Sequence, residues 1–136
     1  MIKLLLILFL ITTTWASDDK KASNIFNLIA MKLTDKSTPT IYLHKGNSSL
    51  EKYPGNLNIT TECAKADLVI LSTTKDIPKE CLTKILFGTR YSHLKNKDVV
   101  GSFFWQKGRP NILFYKQRLE EHKIKLDSSF DRYIED

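Results

Sequence analysis

The chain has 136 residues, 42% hydrophobic and 26% charged, with 21 Lys and Arg against 15 Asp and Glu for a formal net charge of +6. That length suits one hydrophobic core and argues against several domains. The cations are interleaved with acids, which favours solubility and steering toward anionic partners but lacks the dense basic stripe of a nucleic-acid binder, so no nucleic acid is expected as a partner.

The N-terminus, MIKLLLILFLITTTWASDDK, places Lys3 before an apolar run from Leu4 to Ile11, then small and polar residues and Ala16. That order is the pattern of a secretory signal, with cleavage expected after Ala16 and residues 17–136 left as a single domain in the periplasm or outside the cell. The run falls short of the about 20 apolar residues of a spanning helix. The rival reading is an uncleaved anchor or a buried helix. No cysteine stands at the expected cut, so lipid anchoring is not indicated.

Residues 22–33 carry Ile25, Phe26, Leu28, Ile29 and Leu33 near helical spacing, with Ser23 as a candidate N-cap. Thr40–His44 reads as a short strand, Leu50–Tyr53 as a short helix, Pro54-Gly55 as a turn and Leu57–Thr60 as a second strand. The stretch 67–72 is almost continuously apolar, which predicts a strand buried on both faces, as in a parallel sheet. Pro78–Thr83 is expected to be helical with proline in its first turn. Ile85–Phe87 predicts a strand stopped by Gly88, and Tyr91–Leu94 one helical turn.

In GSFFWQKGRPNILFY, residues 101–115, two apolar arms flank Lys107-Gly108-Arg109. Strand alternation puts Phe103 and Trp105 on one face and Phe104 on the other; Ile112 and Phe114 share a face, opposite Leu113 and Tyr115. Both arms are apolar on both sides, so the reading taken is a hairpin buried in the core, its aromatics holding the fold together, against an exposed aromatic platform. Gly108 suits the turn, and Pro110 suits the tip or the first position of the second arm. Lys116–Glu121 is expected to be helical, and Asp127 to cap a last helix bearing Phe130 and Ile134. Strands alternating with short helices, then a hairpin and a final helix, predict an α/β three-layer sandwich with a mixed sheet, parallel in its centre and antiparallel at the C-terminal hairpin.

In such a sheet ligands bind beyond the carboxyl ends of the parallel strands. Three loops would converge there: Lys45, Gly46, Asn47 and Ser48 after the first strand; Ser72, Thr73 and Lys75 after the central one; Thr89 and Arg90 after the next. Each has hydroxyls and one cation, and backbone N–H groups at helix starts would favour an anion. The competing reading makes the hydroxyls helix caps and leaves the cations in solvent. Cys63 and Cys81, in an oxidising compartment, could form one disulfide or remain separate buried thiols. His44, His93 and His122 lie on different elements without a motif, so no catalytic residue, metal site or cofactor is assigned. No nucleophile-elbow or phosphate-loop motif is present; a small basic hydrolase stands as an alternative.

The mature chain resembles the YfiR-like family of small periplasmic proteins in four places: Ile41–Gly46, Ala66–Ser72, Ile85–Tyr91, and Val100–Phe114 followed by Ile124-Lys-Leu126 and Phe130. It differs where that family's early helix ends in Trp-Pro, here Leu33-Thr34, and after the hairpin, here Phe114-Tyr-Lys-Gln117. The resemblance implies a non-catalytic periplasmic regulator that binds the outer-facing part of a membrane signalling protein such as a diguanylate cyclase, under redox influence. A receptor for a small anion or other small ligand is the alternative use of the three loops. Oligomeric state is not readable from the sequence.

Overall fold

The computed structural model describes the backbone of residues 2–136 and the side chains from Asp18 onward. The expected signal segment and the cut expected after Ala16 lie outside the residues whose side chains are described. Helix α1 is Ile2–Thr34, and α2 (Ser48–Lys52) and α3 (Lys116–Glu121) are short. The strands are β1 (Thr40–His44), β2 (Asn58–Thr60), β3 (Leu68–Leu71), β4 (Ile85–Gly88), β5 (Val99–Gln106), β6 (Arg109–Tyr115) and β7 (Ile134–Glu135). They form one sheet in the order β2-β1-β3-β4-β5-β6-β7. The β5–β6 pair is antiparallel and each other pair is parallel. The predicted mixed α/β sandwich is the observed architecture.

Each face of the sheet has its own core. Under α1, Phe26, Ile29, Ala30 and Leu33 pack on Ile41, Leu68, Ile70, Phe87, Val100, Phe103 and Phe114. On the opposite face Val69, Leu71, Leu86 and Val99 meet Cys63, Cys81 and Leu94 from 3₁₀ turns. All four residues of β3 are buried, as a strand apolar on both sides must be. Between Val99 and Gly101 the β4–β5 register shifts by one residue. Val99 and Val100 reach opposite cores by ordinary alternation, and the shift lets Val100 and Phe103, three residues apart, share the core under α1.

Several expectations are corrected. Ser23 is not a cap, because α1 runs on upstream of it; its hydroxyl donates to the Tyr53 carbonyl at the end of α2. It belongs to a polar stripe at i, i+4, i+8 with Asp19 and Asn27. Asp19 accepts from Ser49 and Lys52, both at 3.0 Å, and Asn27 accepts from the Asn56 N–H at 2.9 Å. Gly88 is the last residue of β4 rather than its stop; a Cβ there would lie 2.7 Å from His93 Cβ. Pro78–Thr83 shortens to a 3₁₀ turn, Lys79–Cys81, because Pro78 is in an extended conformation. Ile134 leaves the last helical segment, Ser128–Tyr133, to start β7 beside Phe114. Pro110 is the second residue of β6, opposite Trp105. The hairpin's base is core, with Gly101–Phe104 buried, but its far end is not: Trp105 is 49% exposed.

Cys63 and Cys81 are joined by a disulfide, Cα to Cα 5.3 Å. The two cysteines precede adjacent parallel strands. The β3–β4 crossover must carry the chain back to the starting end of the sheet, which brings Cys81 alongside Cys63.

Candidate functional site

Parallel pairing of β1, β3 and β4 brings their three following loops to one edge. After His44 the chain turns through two left-handed residues, Lys45 at φ 63° and Gly46 at φ 80°. That turn delivers Asn47 as the cap of α2, its side chain accepting the Leu50 N–H at 3.1 Å. The loops are stapled by hydroxyls. Ser72 donates to the Gly46 carbonyl, Thr89 to the Leu71 carbonyl at 2.7 Å, and Ser102 of β5 to the Arg90 carbonyl at 2.9 Å. These donors hold the edge together; each oxygen keeps lone pairs to accept with.

A cavity of about 220 Å³ lies between these loops and α1. Its polar side carries Asn47, Ser48, Ser49, Ser72 and Thr89; its apolar wall is Ala22, Phe26, Phe103 and Trp105. The Phe26 and Phe103 rings meet edge to face at 4.9 Å, and Trp105 lies 5.9 Å from Phe103. Of the nine residues expected at this edge, four line the cavity: Asn47, Ser48, Ser72 and Thr89. Lys45, Lys75 and Arg90 are exposed and lie outside the lining, and among the described residues no charged side chain is part of it. Thr73 accepts the Lys75 N–H at 3.2 Å in a local turn, and Gly46 contributes its carbonyl to Ser72. The Glu51 carboxylate reaches back to the Asn47 N–H at 3.4 Å, putting negative charge where an anion at the start of α2 would sit. The arrangement is therefore an uncharged aromatic and hydroxyl cleft rather than an anion cradle.

Two histidines stand behind this edge, both buried. His44 Nε2 is 2.7 Å from the Lys75 carbonyl, and His93 Nδ1 accepts the Thr89 N–H at 3.0 Å. Burial, and then the nearby Arg90 cation, hold the His93 imidazole below its ordinary pKa. Both rings are tied to backbone and order the loops. Sequence reasoning missed the aromatic wall. Trp105 reads as core because its neighbours are apolar on both sides; it stands half-exposed between two hollows, one beside Ala22 and Phe26 and the other beside Asp18, Lys21 and Ile25 of α1.

No family model and no curated protein matches the chain. Among solved structures, it is similar to the crystal structure of a conserved domain protein from Vibrio cholerae O1 biovar El Tor str. N16961, with a TM-score of 0.54 and 11% identity. The match covers 82% of this chain and 58% of that one, so the chain spans little more than half the length of that protein. At this identity the likeness shows the fold alone.

Proposed function

We propose that the chain is an exported, non-catalytic binding protein of the YfiR-like kind, which docks on the outer-facing part of a membrane signalling protein such as a diguanylate cyclase. The observation that carries this reading is the uncharged cleft ending in the half-exposed Trp105, at the edge where open α/β sheets bind. An indole half in solvent beside a small apolar wall is the kind of anchor that protein interfaces use. Two further features support it. The leader-like N-terminus and the Cys63–Cys81 disulfide suit an oxidising compartment. The histidines nearest the cleft are engaged with backbone rather than paired with an acid. A small-ligand receptor is the second reading, favoured by the cavity itself, with an uncharged ligand suiting its lining better than an anion.

Affinity capture from solubilised membranes, with wild type and Trp105→Ala side by side, tests the proposal. Wild type is expected to recover an integral membrane signalling protein that the variant loses, and mass spectrometry of native material is expected to find Ser17 as the first residue. Native protein that retains Met1, or wild type that recovers no membrane protein, would overturn the reading.

A further inference from the structure

The outer side of β6 is only partly covered. β5 pairs with it from Arg109 to Phe114, but β7 pairs only with Phe114 and Tyr115. Lys107 at φ 52° and Gly108 at φ 73° form the two-residue turn, which closes on Gln106 and Arg109. Antiparallel alternation then turns the backbone groups of Arg109, Asn111 and Leu113 toward β5 and those of Pro110 and Ile112 outward. Proline has no N–H, so the open edge presents the Pro110 carbonyl and both the N–H and the carbonyl of Ile112.

Beside that edge, on the α1 side, runs a groove of about 600 Å³ floored by Ile25, Leu28, Ile112, Phe130 and Tyr133. It continues past Ile25 and Pro110 into a second hollow of about 450 Å³ ending at Trp105. Leu28, an apolar side chain of α1 at the groove, is 48% exposed. The charge around this surface is uneven. Lys32 is paired with Asp127, and the Arg132 guanidinium lies over the Tyr133 ring. Lys21, Lys107 and Arg109 are exposed, and among the described residues no ion pair engages them; Asp18 is the acid in the lining of the second hollow. Arg109 lies on the opposite face of β6 from Ile112, by strand alternation.

We infer that β6 takes an extended segment of a partner protein as an added strand between its turn and β7, with apolar side chains in the groove alternating with polar ones that include an acid facing Arg109. The hydrogen-bonding edge calls for an extended chain, the groove for apolar residues at every second position, and the cations for Asp or Glu between or beside them. A second copy of this chain fits poorly, because it would bring two net-positive molecules together where the unpaired Lys107 and Arg109 stand. The inference rests on the binding reading above and supplies it with a second surface, which shares Trp105 with the cleft.

The test uses the full chain with short synthetic peptides alternating Val and Thr with Glu at both ends. The Glu peptide should bind and slow amide exchange at Ile112. A copy N-methylated on the paired amides, and a copy with Lys for Glu, should each bind about tenfold or more weakly. Leu28→Asp, at an exposed position, should weaken binding to a similar degree while leaving the melting temperature near that of wild type. Equal binding of the N-methylated peptide, or an Ile112 amide indifferent to peptide, would overturn strand addition. So would sedimentation showing a dimer that Leu28→Asp abolishes. If the peptide protects Ile112 while membranes yield no partner, strand addition stands and the proposed function falls. If wild type and Leu28→Asp capture the same membrane protein equally and Ile112 stays unprotected, the proposed function stands and strand addition falls.

Discussion

Asp127 sits where α1 and the C-terminal segment meet. Its carboxylate accepts from Lys32 at 2.8 Å and from the Ser129 N–H at 3.1 Å, and it also receives the Ser129 hydroxyl. The Lys32 bond first, and the Ser129 hydroxyl second, hold its pKa down at about 2, against an ordinary 3.8. A carboxylate whose folded pKa is depressed contributes stability above its unfolded pKa and loses it as pH falls through the folded value. The expected window of loss therefore runs from about pH 4 down to about pH 2. Asp67 acts in the same direction: burial pushes its carboxyl up, but the Lys36 ion pair at 2.7 Å and the Thr40 N–H outweigh this and leave it lowered. Urea midpoints measured across that window should fall less steeply for Asp127→Asn than for wild type, with a residual slope from Asp67. At neutral pH the two proteins should differ little, since exposed ion pairs are weak. Parallel curves would mean that the Lys32–Asp127 pair has no part in acid sensitivity.

The C-terminal segment shows what an element can do that its own hydrogen bonds cannot. β7 has two residues, and the 3₁₀ stretch before it is held by Phe130, whose ring meets Phe114 and Tyr133 edge-on, each at 6.2 Å. Phe130 is 4% exposed. Phe130→Ala should cost about 3 kcal/mol, read as a lower urea midpoint with an unchanged slope, because a buried ring is lost at a site already packed on both sides. A loss under about 1 kcal/mol would mean that this segment is only laid on the core. Phe130 was legible in the sequence, but β7 was not. Ile134 stands four residues after Phe130, a spacing that reads as helix, and the pairing that overrides it comes from β6, a strand distant in sequence. The same distinction runs through the chain. The central strands could be read because local apolar runs dictate them, and the convergence of the three loops followed from their being parallel. The aromatic wall of the cleft and the groove beside β6 depend on where α1 lies across the sheet, which no local pattern states. The stripe Asp19, Ser23, Asn27 does have helical spacing, and following polar residues as well as apolar ones would have found it.

The two faces of the sheet are covered in different ways, and this asymmetry should govern how the molecule loosens. On one face α1 covers a continuous apolar core. On the other, 3₁₀ turns at Cys63–Lys65, Lys79–Cys81 and Tyr91–Lys95 stand in for helices, and such short elements have little cohesion of their own. The disulfide joins the first two of these turns across a sequence separation of 18. In the chain-entropy model a loop of that size contributes about 3 kcal/mol, so reduction or the Cys63→Ala/Cys81→Ala double variant should lower the melting temperature by about 10 °C. The chain-entropy effect acts on the unfolded ensemble and would reduce protection from hydrogen exchange evenly wherever exchange needs global unfolding. The weak cover predicts a further, local effect. Amides of residues 63–66 and 79–82 should lose more protection than those of Ile29 to Leu33 in α1, and Val69 and Leu71 should follow the turns because their side chains lie in the core those turns close. Hydrogen exchange of oxidised and reduced protein, compared segment by segment, separates the two effects. Uniform loss of protection would show the disulfide acting only on the unfolded chain, with the second face cohesive without it. Selective loss would show that the cross-link does on that face what α1 does on the other.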